Sequence, residues 1–216
     1  MKYELPVPIH EENKWTALLV CSVVFLFGYI IPNRYHFITP IYLQMTAVDL
    51  AVPLVPWTIF IYQSEYVYFF IAYALIRGED TRNRYFYSFL TVQAVSMAFF
   101  VFWPTAFPRH AYPLPVVINP WVRQAFAVLH LLDEPSNSFP SLHVSACFVT
   151  AFAFYRESKV KLAFFLLWSV AISISTLTIK QHYFMDIVGG LVLAMASSWF
   201  FVTKARYQAP GALAGP

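Results

Sequence analysis

Apolar residues in this chain fall into stretches near the ~20 residues that a bilayer core requires. Six are predicted as spans: 15–31, 54–76, 85–103, 139–155, 162–179 and 183–202. Polar or helix-breaking groups end them, Pro32-Asn33-Arg34 after the first and Arg77-Gly78-Glu79-Asp80 after the second. Only a few residues separate the last two, which predicts a tight helical hairpin. The stretch 37–53 is mixed and flanked by proline, and reads as an interfacial segment. No internal repeat or Gly/Ser-rich linker divides the chain. The fold class expected is all-α: a polytopic membrane protein with six transmembrane helices in one bundle.

Composition narrows the class further. Of 216 residues, 59% are hydrophobic and 12% charged, about half the charge a soluble domain carries. An ordinary soluble enzyme, a disordered chain and a disulfide scaffold are all excluded. A net charge of +3 is too small and too scattered for a nucleic-acid footprint. Cys21 and Cys147 lie in apolar runs and read as packing residues.

Orientation follows from the basic residues. With both termini cytoplasmic, ten of the fourteen fall inside; Arg34, Arg109, Arg123 and Lys180 fall outside. Glu4, Glu11 and Glu12 beside Lys2 and Lys14 do not make a signal-peptide n-region, so an uncleaved anchor is expected. The organisation expected is a cytoplasmic or interfacial segment over 1–14 and a membrane domain over 15–203, with an outer loop at about 104–138. A disordered cytoplasmic tail is expected over 204–216.

Membrane burial does not explain three outer segments. In Asn137-Ser138-Phe139-Pro140-Ser141-Leu142-His143, a Ser/Asn cap with proline in the first turn predicts a helix start. Such an N-terminus suits a phosphate, to which Ser141 adds a hydroxyl and His143 an imidazole. In Lys180-Gln181-His182-Tyr183-Phe184-Met185-Asp186, four residues separate His182 from Asp186, which predicts one helix face. An aspartate holding one imidazole nitrogen leaves the other free to attack. Gly189 and Gly190 permit close helix approach. The third segment, the outer loop, carries Arg109 and Arg123. A lone histidine in a membrane protein is more often a hydrogen-bonded structural residue; spacing and a shared side argue otherwise here.

At these residues the sequence resembles the phosphatidic-acid phosphatase type 2 (PAP2) superfamily of membrane lipid phosphatases and phosphotransferases. Pro140-Ser141-Leu142-His143 is similar to that family's Pro-Ser-Gly-His motif. Ser175-Thr176, then His182 and Asp186 at the family spacing, are similar to its third motif, with Thr176 in place of arginine. The first motif has no counterpart. The style of the motifs is closest to the inositol-phosphorylceramide-synthase-like branch. The resemblance implies a phosphohistidine on His182, oriented by Asp186, with His143 as acid and then base. It also implies phosphate binding by Ser141, and Lys180 and Arg109 are nominated on location as substitute cations. No metal and no cofactor are expected. The implied partners are a lipid phosphate and the bilayer.

The expected activity is hydrolysis of a lipid phosphate monoester or diphosphate at the outer face. That face is periplasmic in a bacterial inner membrane and lumenal in an endomembrane. The alternatives are transfer of the phosphoryl head group to a lipid alcohol, or a transporter or scaffold without turnover. Glu65 is expected inside the second span, away from the outer face, as a structural partner in the bundle. Asp49 and Asp133-Glu134 are expected to be solvated or interfacial. His10, His36, His110 and His130 match no motif.

Overall fold

The computed structural model describes residues 4–207. The last part of the expected disordered tail, 208–216, lies outside the described residues, as do residues 1–3. Nine α-helices account for most of the described chain: α1 (Lys14–Arg34), α2 (Ala47–Ala51), α3 (Ile59–Gln63), α4 (Glu65–Leu75), α5 (Glu79–Phe102), α6 (Pro120–Leu132), α7 (Leu142–Ala153), α8 (Lys159–Thr178) and α9 (Phe184–Ser198). A π-helical turn, Trp199–Lys204, extends α9.

Four helices are long and apolar enough to cross a membrane: Lys14–Arg34, Glu79–Phe102, Lys159–Thr178 and Phe184–Lys204. The other two expected spans look different. The stretch 54–76 is a 3-10 turn, Pro56–Thr58, followed by α3 and α4. They meet at Ser64, whose hydroxyl bonds back to the Ile61 carbonyl. The stretch 139–155 contributes only the 12 residues of α7. Here the chain before the helix is itself buried, at Ser136, Asn137, Ser138 and Ser141.

The bundle is built around α7. Every residue from Val144 to Ala151 is buried, and the helix packs against α4, α5, α8 and α9. Tyr68, Ala72, Val92, Phe148, Phe165 and Ile172 form the centre of the core. A second cluster joins α3 to α6 through Ile59, Tyr62, Val122, Phe126 and Leu129. Helix α6 lies within the segment expected as a loop. Asn119 caps it, its side-chain oxygen accepting from the Trp121 N–H at 2.8 Å, and Pro120 opens it. This Asn-Pro pair is the start signal that the apolar-run reading passed over.

Helix α1 is peripheral, with only Pro32 and Asn33 buried. Hydrogen bonds tie its far end to the segment before α7: the Asn33 amide donates to the Ser136 hydroxyl (3.2 Å) and the Glu134 N–H donates to Asn33 Oδ1 (3.0 Å). At the other end of the bundle, strands β1 (Glu4–Leu5) and β4 (Arg206–Tyr207) pair in parallel. Two further short strands, β2 (Ile41–Tyr42) and β3 (Thr105–Ala106), pair beside the α7 entrance. Of the acidic residues expected to be solvated or interfacial, Asp49 and Asp133 are engaged within the fold, while Glu134 stays partly exposed beside Arg34. Asp49 is 4% exposed and caps α2 through Thr46. Asp133 accepts from the Tyr29 hydroxyl at 2.5 Å.

Candidate active site

The turn between α8 and α9 sets the first half of the site. Lys180 adopts a left-handed conformation, φ 58°, just past the end of α8. The Gln181 N–H reaches back to the Thr176 carbonyl (2.9 Å) and the Lys180 N–H to that of Leu177 (3.1 Å). This is the Schellman arrangement, with lysine where glycine is usual. It delivers His182 to the mouth of α9.

The helix-face expectation for His182 and Asp186 is corrected here. His182 precedes α9, and Asp186, in its first turn, folds back toward it. Asp186 Oδ2 accepts the Tyr183 N–H at 2.9 Å and stands 3.2 Å from His182 Nδ1. The aspartate therefore serves both the helix start and the ring. Its preference for the first helical turn has the same electrostatic origin as other acidic N-terminal residues.

The second half comes from α7. Ser141, not Asn137 or Ser138, is its N-cap, and its hydroxyl oxygen accepts from the Val144 N–H at 3.4 Å. As an acceptor there, the hydroxyl keeps its own proton to donate. The Ser141 N–H donates to the Asp186 carbonyl at 3.0 Å, linking the starts of α7 and α9. Two residues on, His143 Nδ1 lies 3.4 Å from His182 Nε2.

The opposite nitrogen of His143 meets residues that the sequence reading left out. Nε2 lies 3.1 Å from Glu65 Oε1 and 2.6 Å from the Tyr62 hydroxyl. Glu65 is 4% exposed and Tyr62 1%. Glu65, expected as a structural partner within the second span, stands against a candidate catalytic histidine instead. The first turn of α7 thus brings His143 against the α3–α4 junction. Each histidine is held by a carboxylate on one nitrogen, and the two free nitrogens face each other. In such a pair, one ring can attack while the other moves a proton.

Lys180 and Arg109 line one cavity of about 260 Å³ together with His130, Tyr112 and Gln181. Lys180 Nζ donates to the carbonyls of Asp49 (3.1 Å) and Val52 (2.5 Å). It also sits 4.7 Å from the centre of the Tyr112 ring. Burial lowers the ammonium pKa, and the Asp49 carboxylate opposes that shift. Arg109 pairs with Asp133, its Nη2 2.7 Å from Oδ2. Arg123 donates to the Val116 carbonyl in an exposed position. Among the described residues, no group of three or more His, Cys, Asp and Glu side chains is arranged to hold a metal ion.

A family model described as the PAP2 superfamily matches residues 33–200, more than half of the chain. No curated protein and no solved structure matches significantly.

Proposed function

The chain belongs to the PAP2 superfamily of phosphatases and phosphotransferases, and from that premise we propose that it hydrolyses a lipid phosphate through a phosphohistidine on His182. The observation that carries this reading is the facing pair, His182 Nε2 and His143 Nδ1, each ring backed by its own carboxylate.

In the first step His182 Nε2 attacks phosphorus and the ester bond breaks. Asp186 orients the ring and stabilises its charge. His143 gives a proton from Nδ1 to the departing lipid oxygen. In the second step His143 takes a proton from water, whose oxygen displaces the phosphoryl group from His182. Attack needs a contact of about 3 Å, and proton transfer needs a hydrogen bond of its own. The phosphoryl group therefore enters between the rings, and the 3.4 Å gap widens as it does. Ser141 donates its free hydroxyl proton to a phosphoryl oxygen. Lys180 and Arg109 supply positive potential from the neighbouring cavity, because this chemistry depends mainly on positioning and charge.

The membrane arrangement belongs to the same proposal. Helix α1, the α3–α4 pair, α5, α7, α8 and α9 make six passes, with both ends of the chain cytoplasmic and the histidines toward the outer face. The membrane domain covers 15–203. The ten-to-four distribution of basic residues supports this orientation.

Transfer to a lipid alcohol, as in the inositol-phosphorylceramide-synthase-like branch, is the second reading. The cavity lined by Lys180 and Gln181 favours it, because it offers an acceptor room beside the turn that carries His182. One assay separates the two. Purified protein is given lipid phosphates in detergent, with and without lipid alcohols, and free phosphate and lipid products are both measured. Free phosphate in stoichiometric yield supports hydrolysis; a new phospholipid with little phosphate supports transfer; neither product sinks both. Vanadate, which takes the five-coordinate geometry of phosphorus in transfer, is expected to inhibit, and EDTA is not.

Glu65→Gln tests the proton-moving half separately. The expected loss in turnover is on the order of 10²-fold, with Glu65→Asp partly restored. A glutamate that merely packs predicts equal activity in both variants.

A further inference from the structure

Two adjoining apolar cavities with shared lining residues make a groove that leads away from His143 between α1, α4 and α5. Its outer part, about 180 Å³, is lined by His143 and Glu65 and by Phe25, Leu26 and Phe89. Its inner part, about 270 Å³, shares those three apolar residues and runs on past Cys21 and Ala17 to Ile9. From Tyr29 to Ala17 the wall formed by α1 is roughly 18 Å long at helical rise.

The far end is closed by a fixed stop. Ile9 is 4% exposed. Its N–H donates to Asn83 Oδ1 at 3.0 Å, and its carbonyl accepts from Asn83 Nδ2 at 2.7 Å. Asn83 is fully buried in α5, so the backbone at Ile9 is held like a strand partner. The N-terminal segment thus forms the floor of a groove that opens at the reactive imidazole.

A lipid phosphate keeps its tail in the bilayer while its head must reach His182, which is 6% exposed. Apolar walls continuous with His143 meet both demands at once. We infer that this groove seats one hydrocarbon chain of the lipid phosphate and that Ile9 sets the longest chain accommodated. The inference rests on the proposed phosphoryl transfer at His182 and names the part of the substrate that the site recognises.

The test is a chain-length profile. Linear alkyl phosphates from eight to eighteen carbons are assayed for phosphate release at a fixed mole fraction in detergent. For the wild type, kcat/KM rises with length and then stops rising. Ala17→Trp, which fills the groove midway, is expected to lower the ratio of sixteen-carbon to eight-carbon kcat/KM about tenfold. Ile9→Ala moves the break to longer chains. Val20→Trp, on the exposed side of α1, leaves the profile unchanged. The same profile in wild type, Ala17→Trp and Ile9→Ala overturns the inference.

A second measurement does not need turnover. Hexadecyl phosphate with a diazirine at the tail end is irradiated with the wild-type protein, and the labelled peptides are mapped. Labelling concentrated near Ile9, Ala17 and Cys21, and competed by unlabelled hexadecyl phosphate, supports the groove. Labelling spread evenly over the exposed faces of α1, α8 and α9 overturns it. If no alkyl phosphate is hydrolysed, the functional reading fails while the labelling still decides whether the groove holds a tail.

Discussion

His182→Ala abolishes turnover, by a factor on the order of 10⁴ or more, and removes all covalent phosphate from the protein. His143→Ala is expected to be as slow on a lipid phosphate but to differ in one respect. An alkoxide is a poor leaving group and needs the proton from His143, whereas p-nitrophenolate leaves without help. With p-nitrophenyl phosphate, His143→Ala should still phosphorylate His182 and then stall, because no base activates water for the second step. Label retained on His143→Ala and absent from His182→Ala, read by acid-labile phosphate and mass spectrometry, is the expected pattern. Equal labelling in both variants would sink the division of roles. The two substitutions leave the apolar residues of the main core cluster in place, so both proteins should insert and purify.

Gly190→Ala should be nearly as damaging without touching a reactive atom. A Cβ at Gly190 would stand 2.5 Å from the Ser141 carbonyl oxygen and 3.2 Å from Val144 Cβ. The nearest obstacle is backbone, so α9 must move away from α7. That motion separates Asp186 and His182 from Ser141 and His143, which lie on opposite sides of this contact. Overpacking of this kind costs about 1–3 kcal/mol in stability, and a displacement near 1 Å lowers rate by about 10²-fold. Gly28→Ala is the control. There the added carbon meets the thioether end of Met97, a flexible side chain that can turn aside. Gly190→Ala with wild-type activity, measured beside Gly28→Ala, would show that the helix approach does not set the site.

Fixed spacings marked His182, Asp186, His143 and Ser141 in the sequence as candidates, and the structure brings these four residues together. Their local geometry was less legible. Spacing of four suggested one helix face, whereas the chain places His182 before α9 and folds Asp186 back through the Tyr183 N–H. Glu65 and Tyr62 were hidden for a different reason. They sit in an apolar run 78 and 81 residues before His143, and hydropathy alone carries no depth. Only the folded chain shows that the first turn of α7 places His143 against both of them. Helix α6, at 13 residues, is too short to stand out as an apolar span, although Asn119-Pro120 announces it. The four long helices were plain from length and composition, because nothing but a bilayer or a large core tolerates such stretches.

The small ladder between β1 and β4 constrains the whole chain through parity. Glu4 stands opposite Arg206 and Leu5 opposite Tyr207, so the two ends of the described chain meet on one side. A chain that returns to its starting side has crossed an even number of times. The six passes proposed above satisfy that parity, whereas counting only one of the broken α3–α4 segment and the 12-residue α7 as a pass would not. If α3–α4 is a crossing, α7 must be one as well.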